Sequence, residues 1–406
     1  MLKAESTAIS DLLQQVVIDA GVAPGAAAAV SIRNGGLWWT LCGSSGTLSH
    51  ISRTRVELGT FFDLASITKS LFAFSFARAV DRGSSSWQDT LGERVPWAKG
   101  TWSEHTSFES FLAHRSGLAA HIDLAGPLRA GQPWRQQDAL KLAADAANPA
   151  RKPLEGNTHH AVYSDLGYVL VGQALSETLG RPLCELLLDE LAAIGVSELA
   201  SASELEARAA RSVAATERLE WRGGLVQGIV HDDNAFALSG KGISAHAGCF
   251  GTVDGVIRFA TSMLDEMQGR TAWLTPQSRA ILFSPRPGGT ERVGFDGKNP
   301  ERSSLGDKLG PNTFGHYGFT GTGFWCDPDR GLALTLLTNR VCPTRDNLKI
   351  RQVRPVVHDR LVELGEALRR TLAPSALPNE GPIRAQSGSD GHPPLGEPHG
   401  FAAGSS

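Results

Sequence analysis

The chain has 406 residues, a charged share of 20% and a formal net charge of −3 at pH 7. This length allows a large core and two lobes, and the composition is that of a soluble globular protein. A balance so close to neutral excludes a general attraction to nucleic acid, and no apolar run approaches the roughly 18 residues of a membrane span. We therefore predict no nucleic-acid or membrane partner, while the oligomeric state stays open.

Two features favour a cytoplasmic location. Residues 1–6 are polar and acidic, and the segment that follows lacks the uninterrupted apolar core of a signal peptide. The five cysteines are odd in number and scattered, and none has the C-x-x-C spacing of a metal or redox site. We interpret them as reduced thiols that pack as small hydrophobic side chains.

The first predicted elements are a helix and a hairpin. Apolar residues recur at helical spacing over residues 9–20 and stop at Gly21, a common helix end signal. Apolar runs at residues 26–32 and 37–42 then flank an Asn-Gly-Gly turn at residues 34–36. Such a turn between two runs of this kind predicts a β-hairpin.

The middle of the chain is predicted to be helical. From about residue 66 to 240 the patterns are almost all helical, with clear helices at residues 71–80 and 166–179. Gly83 and Gly180 mark where these two helices end. Near the C-terminus, strands return as a second predicted hairpin of two apolar runs, followed by a helix that Pro355 opens.

These elements suggest a division of the chain into two lobes and a tail. We assign residues 1–65 and 241–373 to an α/β lobe and residues 66–240 to an inserted helical lobe, with a ligand site in the cleft between them. Residues 374–406 are rich in proline, glycine and serine and have almost no apolar periodicity. That segment is predicted to be a disordered tail.

Ser66 and Lys69 form a Ser-x-x-Lys pair directly ahead of the predicted helix at residues 71–80. Two side chains three residues apart share a helix face, so the amine can take the hydroxyl proton. A single pair of this type arises about once by chance in a chain of this composition. Its significance therefore depends on other motifs further along the chain.

Two such motifs follow in order. Tyr163, two residues before Asp165, stands where a loop meets the predicted helix at residues 166–179, a junction that can face a cleft. The segment at residues 316–323, His-Tyr-Gly-Phe-Thr-Gly-Thr-Gly, is a glycine-rich strand ahead of the second hairpin. Glycines there allow a substrate to lie against the backbone.

In this order and spacing the motifs resemble Ser-x-x-Lys, Tyr-x-Asn and Lys-Thr-Gly, the signatures of the serine β-lactamase and penicillin-binding superfamily. The chain is similar to its branch of class C β-lactamases, family VIII esterases and D-alanyl-D-alanine carboxypeptidases. Segments at residues 112–118, 228–235, 246–250 and 337–341 extend the resemblance over residues 8–370. It implies a β-lactamase-like α/β plus α fold, an antiparallel sheet flanked by N- and C-terminal helices with an inserted helical lobe.

The resemblance also implies catalytic roles for three residues. Ser66 would be the nucleophile, flanked by Lys69 and Tyr163, and either neighbour could take its proton. A lysine beside a second cation loses basicity and a phenol beside a lysine becomes more acidic, which would bring both pKa values toward a working range. We predict that Tyr163 is the principal base and that Lys69 holds and tunes it.

The substrate side carries departures from the family pattern. Asp165 stands where a lactamase has asparagine, and an ionised aspartate cannot donate to a substrate carbonyl. His316 replaces the lysine that would hold a substrate carboxylate, which predicts activity that changes near the ordinary histidine pKa of about 6.5. Tyr317 replaces a small threonine and brings bulk or a second hydroxyl into the pocket. The backbone N–H groups of Ser66 and Phe319, the latter next to Gly318, are expected to form the oxyanion hole.

The predicted function is that of a cofactor-free serine hydrolase. It would form an acyl-enzyme on Ser66 and hydrolyse a small-molecule ester or an amide of the β-lactam or D-alanyl type. His231 is followed by two aspartates, but no second histidine stands at ligand spacing, so we predict loop hydrogen bonds there rather than a metal site. Asp165 and His316 favour one alternative, a catalytically idle, penicillin-binding-like module for binding or regulation.

Overall fold

The protein alternates short strands with helices, and its longest strands lie near the two ends of the chain. The computed structural model describes residues 2–152, 159–301 and 303–372. The strands are β1 (Gly25–Asn34), β2 (Leu37–Gly46), β3 (Phe62–Asp63), β4 (Leu199–Ala200), β5 (Arg218–Leu219), β6 (Gly224–Leu225), β7 (Phe250–Gly251), β8 (Asp296–Gly297), β9 (Phe314–Tyr317), β10 (Gly323–Asp327) and β11 (Leu332–Thr338).

The helices occupy most of the middle of the chain. They are α1 (Leu2–Leu13), α2 (Ile67–Asp81), α3 (Leu91–Arg94), α4 (Phe108–Leu112), α5 (Gly126–Arg129), α6 (Gln136–Asp145), α7 (Asp165–Leu179), α8 (Leu183–Ala192), α9 (Ala202–Ala207), α10 (Asp233–Ser239), α11 (Val253–Met267), α12 (Pro276–Phe283) and α13 (Ile350–Leu372). A π-helical stretch, Gln14–Ile18, continues α1. In this described part of the chain, no helix is long and apolar enough to cross a membrane.

Strands from both ends of the chain build the main sheet. Among the described residues, six strands pair antiparallel in the order β2-β1-β11-β10-β9-β8. Alternate residues of β1 point to opposite faces. Ala27 and Ala29 join the core cluster that contains Phe259 of α11, whereas Val30 and Ile32 meet α13 at Gly365. Helices thus cover both faces of β1, and the predicted antiparallel sheet with terminal helices is confirmed.

The first predicted hairpin is confirmed. Asn34 pairs with Leu37, and the two residues between them, Gly35 and Gly36, have φ values of +59° and +85°. This type of turn needs left-handed backbone at both positions, which glycine adopts without a steric cost. The second predicted hairpin is present as β10 and β11.

The predicted start of the last helix is wrong. Helix α13 begins at Ile350, and Pro355 lies inside it. A helical turn already exists before the proline, because the Val353 N–H donates to the Lys349 carbonyl. Proline has no N–H to donate, so Pro355 leaves out one bond of a helix that other contacts hold. The predicted tail at residues 374–406 lies outside the described residues, and the division into two lobes stays a prediction.

Helix α2 is the buried centre of the molecule. Every residue from Ile67 to Ala77 is buried, which is typical of a helix that is enclosed by other elements on all sides. Its aromatic rings meet partners from different parts of the chain: Phe74 contacts Phe259, and Phe76 contacts Trp87 and Phe108. The start of α2 is therefore held firmly in place.

Replacing Phe76 with alanine should leave a cavity beneath this helix. The ring is fully buried, 5.1 Å from the Trp87 ring between centroids, so the variant should lose about 3–5 kcal/mol of unfolding free energy. Urea denaturation followed by tryptophan fluorescence measures this loss. Val356→Ala, at a side chain that is 53% exposed, is the control and should change stability by less than about 0.5 kcal/mol. A Phe76→Ala loss as small as that of the control would contradict this packing.

Candidate active site

The segment before α2 presents Ser66 at the helix start. Ser66 is the residue that precedes the first turn, and Ala65 before it has a φ of +47°, a strained conformation for a residue other than glycine. The buried Asp63 carboxylate holds this segment, since it accepts from the Ala65 N–H at 2.8 Å and from the His231 N–H at 2.8 Å. The serine hydroxyl thus extends from a backbone that is restrained by Asp63 and, through Asp63, by the segment of His231.

Lys69 lies beneath Ser66 with its side chain fully buried. Its Nζ atom donates to Ser66 Oγ at 2.9 Å and to the His246 carbonyl at 3.1 Å, and it forms an ion pair with Asp165 Oδ1 at 2.7 Å. Burial alone would lower the pKa of Lys69, but the Asp165 carboxylate and Tyr163 raise it above its ordinary value. The predicted loss of basicity at Lys69 is therefore wrong for the free protein.

Tyr163 stands just before α7, as the sequence predicts, lines the cavity and is 38% exposed as a residue. Its hydroxyl interacts with the side chains of both Lys69 and Ser66. Burial of that hydroxyl raises the pKa of Tyr163, Lys69 opposes the rise, and the Asp165 charge adds to it. The predicted increase in acidity is wrong, because burial of the hydroxyl, together with the Asp165 charge, outweighs the lysine charge that would have stabilised a phenolate.

Asp165 is the first residue of α7, and its carboxylate turns toward Lys69. Burial opposes ionisation, yet the Lys69 ammonium and the His121 side chain hold the pKa of Asp165 well below its usual range. His121 Nδ1 lies 3.5 Å from the other carboxylate oxygen, and this contact raises the pKa of the half-exposed His121. Asp165 lines the cavity, and its predicted role in substrate binding stays a prediction.

His316, on β9, is a neutral histidine in this structure. Its Nδ1 donates to the Tyr317 carbonyl at 2.7 Å, which leaves Nε2 as an acceptor. The ring is 5% exposed, and burial together with Lys69 lowers the pKa of His316 to about 4. The expected change of activity near pH 6.5 therefore has no basis in this histidine.

The expected oxyanion groups lie where β9 and the following turn approach Ser66. A Cβ on Gly318 would come within 2.4 Å of the Leu64 carbonyl oxygen, so only glycine permits this approach. Among the described residues, neither the Ser66 nor the Phe319 N–H has a hydrogen-bond acceptor. Arg340 donates to the Phe319 carbonyl from Nε at 3.0 Å and from a terminal nitrogen at 2.6 Å.

Tyr317 contributes its ring rather than a free hydroxyl to the cavity. The hydroxyl donates to the Ser304 carbonyl at 3.1 Å and accepts from Ser304 Oγ at 3.0 Å. The ring packs 4.8 Å from the Trp325 ring, and the Arg354 guanidinium lies 4.0 Å from its centroid. The Tyr317 ring is thus in contact with an arginine that also lines the cavity.

His231 and the following aspartates are engaged in loop hydrogen bonds. His231 Nε2 lies 3.0 Å from Glu217 Oε2, and the ring stacks on Phe319. Asp232 Oδ1 caps α10 and lies 3.0 Å from His246 Nε2. Residues 2–152, 159–301 and 303–372 contain no cluster of three or more potential metal ligands.

These groups surround one cavity of about 890 Å³. The structure brings all the predicted site residues together there, with Lys69 underneath and the others in its wall: Ser66, Tyr163, Asp165, His316, Tyr317, Gly318 and Phe319. Two further residues of the cavity wall, His121 and Arg340, were not predicted from the sequence. No motif marks His121, but Arg340 belongs to the segment at residues 337–341 and could have been noticed there.

The fold is that of the class C β-lactamases. The chain belongs to the Beta-lactamase family, whose profile matches residues 12–357.

Individual proteins are also similar to this chain in sequence or in fold. The chain is 29% identical over 311 residues to the N-acetylmuramyl-L-alanine amidase of Bacillus subtilis (strain 168), covering 70% of this chain and 69% of the amidase. The class C β-lactamase from Rhodobacter sphaeroides has the same fold with a TM-score of 0.62, at 16% identity over 88% of this chain and 98% of that one. The octameric penicillin-binding protein homologue from Pyrococcus abyssi matches with a TM-score of 0.63 at 19% identity, over 87% and 77% of the two chains.

The depressed pKa of His316 predicts a loss of stability in acid. The unfolded chain binds this proton at about pH 6.5 and the folded chain only at about 4, so the free energy of unfolding should fall between these values. His316→Gln should reduce that fall by on the order of 1–3 kcal/mol at pH 4. Denaturant unfolding at pH 7, 5.5 and 4 measures it, with the exposed His105→Gln as control. A His316→Gln variant with the wild-type slope would count against a neutral buried His316.

Proposed function

We propose that the protein is a serine hydrolase that forms an acyl-enzyme on Ser66 and hydrolyses it. The observation that carries this proposal is the 2.9 Å contact between Ser66 Oγ and Lys69 Nζ, with the Tyr163 hydroxyl beside both atoms. A serine hydroxyl attacks at neutral pH only when a nearby group can take its proton. The cavity above it gives an ester or amide carbonyl access to the hydroxyl.

The proposed chemistry uses two steps on the same serine. Ser66 Oγ attacks the carbonyl carbon, its proton passes to a base, and the negative oxygen lies between the N–H groups of Ser66 and Phe319. Such donors are typically worth about 100-fold to 1000-fold each. The proton then goes to the leaving oxygen or nitrogen as its bond to carbon breaks. Water attacks the acyl-enzyme in the same way and regenerates Ser66.

The substrate is proposed to be a carboxylic ester or an amide of the β-lactam or D-alanyl type. The similarity to an amidase supports the amide side of this range. His316 carries no charge for a substrate carboxylate, but Arg351 and Arg354 line the cavity without a carboxylate partner among the described residues. These guanidinium groups favour acyl donors with an anionic group at that end.

Ser66→Ala should abolish turnover of p-nitrophenyl acetate and butyrate and labelling by a fluorophosphonate probe, because no other group replaces the nucleophile. Ester hydrolysis rates and the mass of the intact protein after labelling are the measurements. Ser70→Ala is the matched control: Ser70 lies one turn further along α2 and its hydroxyl donates to the Gly294 carbonyl, away from Ser66. Retained ester activity in Ser66→Ala would refute the proposal.

The alternative function, an idle binding or regulatory module, draws on the raised pKa of Tyr163 and on Asp165. A nucleophile without an effective base binds ligands without turning them over. The same experiment separates the two functions, since a wild-type protein that neither reacts with the probe nor hydrolyses either ester would be the idle module.

Gly318→Ala tests the proposed oxyanion hole. The new Cβ would lie 2.0 Å from Thr322 Oγ1 and 2.4 Å from the Leu64 carbonyl oxygen, so the Phe319 peptide must move away from Ser66. We expect kcat for ester hydrolysis to fall at least about tenfold, more than KM changes. Gly59→Ala, where a Cβ meets nothing within 4 Å, should leave both constants unchanged. An unchanged kcat in Gly318→Ala would exclude this geometry.

A further inference from the structure

We propose that Asp165 is a positioning residue that keeps Lys69 in its ammonium form, so that the Ser66 proton passes to Tyr163. This inference rests on the proposed serine hydrolase function and names the base for that reaction. In this respect the chain differs from lactamases with asparagine at the same position, since a neutral amide oxygen can accept a hydrogen bond from an ammonium but has no negative charge to balance it.

The atoms around Lys69 Nζ support the charged form. An ammonium has three N–H donors, and three oxygen atoms accept from Nζ: Ser66 Oγ at 2.9 Å, the His246 carbonyl at 3.1 Å and Asp165 Oδ1 at 2.7 Å. The Tyr163 hydroxyl is a further neighbour. A neutral amine would have only two donors and would turn its lone pair toward one of these oxygens. The three contacts to Ser66, His246 and Asp165 therefore match the three donors of an ammonium.

Burial makes this arrangement depend on Asp165. Lys69 is fully buried, and an isolated ammonium in such a place loses its proton readily. Asp165 supplies the one carboxylate within ion-pair distance of Nζ among the described residues. The other titratable groups near this pair are His114 and His316, whose pKa values are lowered to about 3 and 4, Tyr163 and Tyr168, and, further out, His121 beside Asp165 and His246 beside Asp232.

A lysine that donates to Ser66 Oγ cannot also accept the serine proton. The acceptor is then the oxygen of Tyr163, which must first lose its own proton to solvent. As Ser66 Oγ bonds to the carbonyl carbon, the carbonyl electron pair moves to oxygen and the serine proton moves to the phenolate. The phenol returns this proton to the leaving group when the bond from carbon to the leaving group breaks, so Tyr163 is a phenolate again.

The direction in which replacement of Asp165 should shift the pH dependence of the rate follows from its charge. The Asp165 carboxylate disfavours a second negative charge on Tyr163 and favours the positive charge on Lys69. Asp165→Asn removes the negative charge while keeping the size of the side chain. The buried Lys69 ammonium should then lose its proton at lower pH, so that a neutral amine beside Ser66 Oγ can take the serine proton and the rise of the labelling rate with pH begins earlier.

The experiment measures the second-order rate constant of fluorophosphonate labelling at Ser66 from pH 5.5 to 10 in four proteins. In this reaction Ser66 Oγ bonds to phosphorus and fluoride leaves with the electron pair of the broken bond. When this rate constant is plotted against pH, its rise on the acidic side, called the acidic limb, should lie at least about one pH unit lower in Asp165→Asn than in the wild type. Asp165→Glu, which keeps the charge, should retain the wild-type limb. Asp123→Asn, a matched loss of charge in the same cavity at a residue that pairs with Arg129, should not move it.

A uniform drop of rate at every pH in Asp165→Asn, or a limb that coincides with the wild type, would overturn the inference. These outcomes leave the proposed function intact, because labelling of wild-type Ser66 would still occur. If the wild type shows no labelling, the proposed function fails instead. The two failures are thus distinguishable in one data set.

A spectroscopic titration provides a test that does not need Asp165→Asn to fold. The chain has three tyrosines, so the difference in absorbance near 295 nm between wild type and Tyr163→Phe isolates one phenolate. With Asp165 in place, Tyr163 should ionise above its ordinary pKa of about 10. Ionisation of Tyr163 well below that value in the wild type would refute the charge compensation by Asp165.

Discussion

A lysine that is completely removed from solvent is the constraint around which the centre of this protein is organised. Lys69 occupies the first turn of α2, and the polar contacts of its Nζ atom reach three parts of the chain: Ser66, the pair of Tyr163 and Asp165, and His246. An unpaired charge in such surroundings would cost several kcal/mol, so the segments that carry these oxygens must arrive together. The ion pair of 2.7 Å therefore links the start of α2 to the start of α7, and the hydrogen bond to the His246 carbonyl adds the loop before β7.

The same interaction gives the site an electrostatic character that differs from the family pattern. Asp165 neutralises the buried lysine, and His316 loses its proton at neutral pH because it is buried near that lysine. The floor of the cavity consequently carries little net charge. Positive charge in the cavity wall comes instead from Arg340, Arg351 and Arg354.

The close approach of two backbone segments, the turn after β9 and residues 63–64, completes the site. Thr320 Oγ1 donates to the Asp63 carbonyl at 2.7 Å and Thr322 Oγ1 donates to the Leu64 carbonyl at 3.2 Å, so the turn after β9 is tied to the segment that ends at Ser66. Gly318 allows this contact because it has no side chain. Arg340 fixes the Phe319 carbonyl from the other side. The glycine-rich composition of residues 316–323 thus has a steric explanation that is independent of any substrate.

The sequence by itself determined the family, the antiparallel sheet with its terminal helices, both hairpins and the set of residues that meet in the cavity. These features depend on local signals, such as glycines at residues 35 and 36, and on motifs whose order is visible in one dimension. It misjudged the start of α13, because contacts elsewhere stabilise a helix that includes Pro355. Only the tertiary structure decided the protonation of Lys69, Tyr163 and His316. Their pKa values depend on burial and on the distance to Asp165, and a residue pattern contains neither quantity.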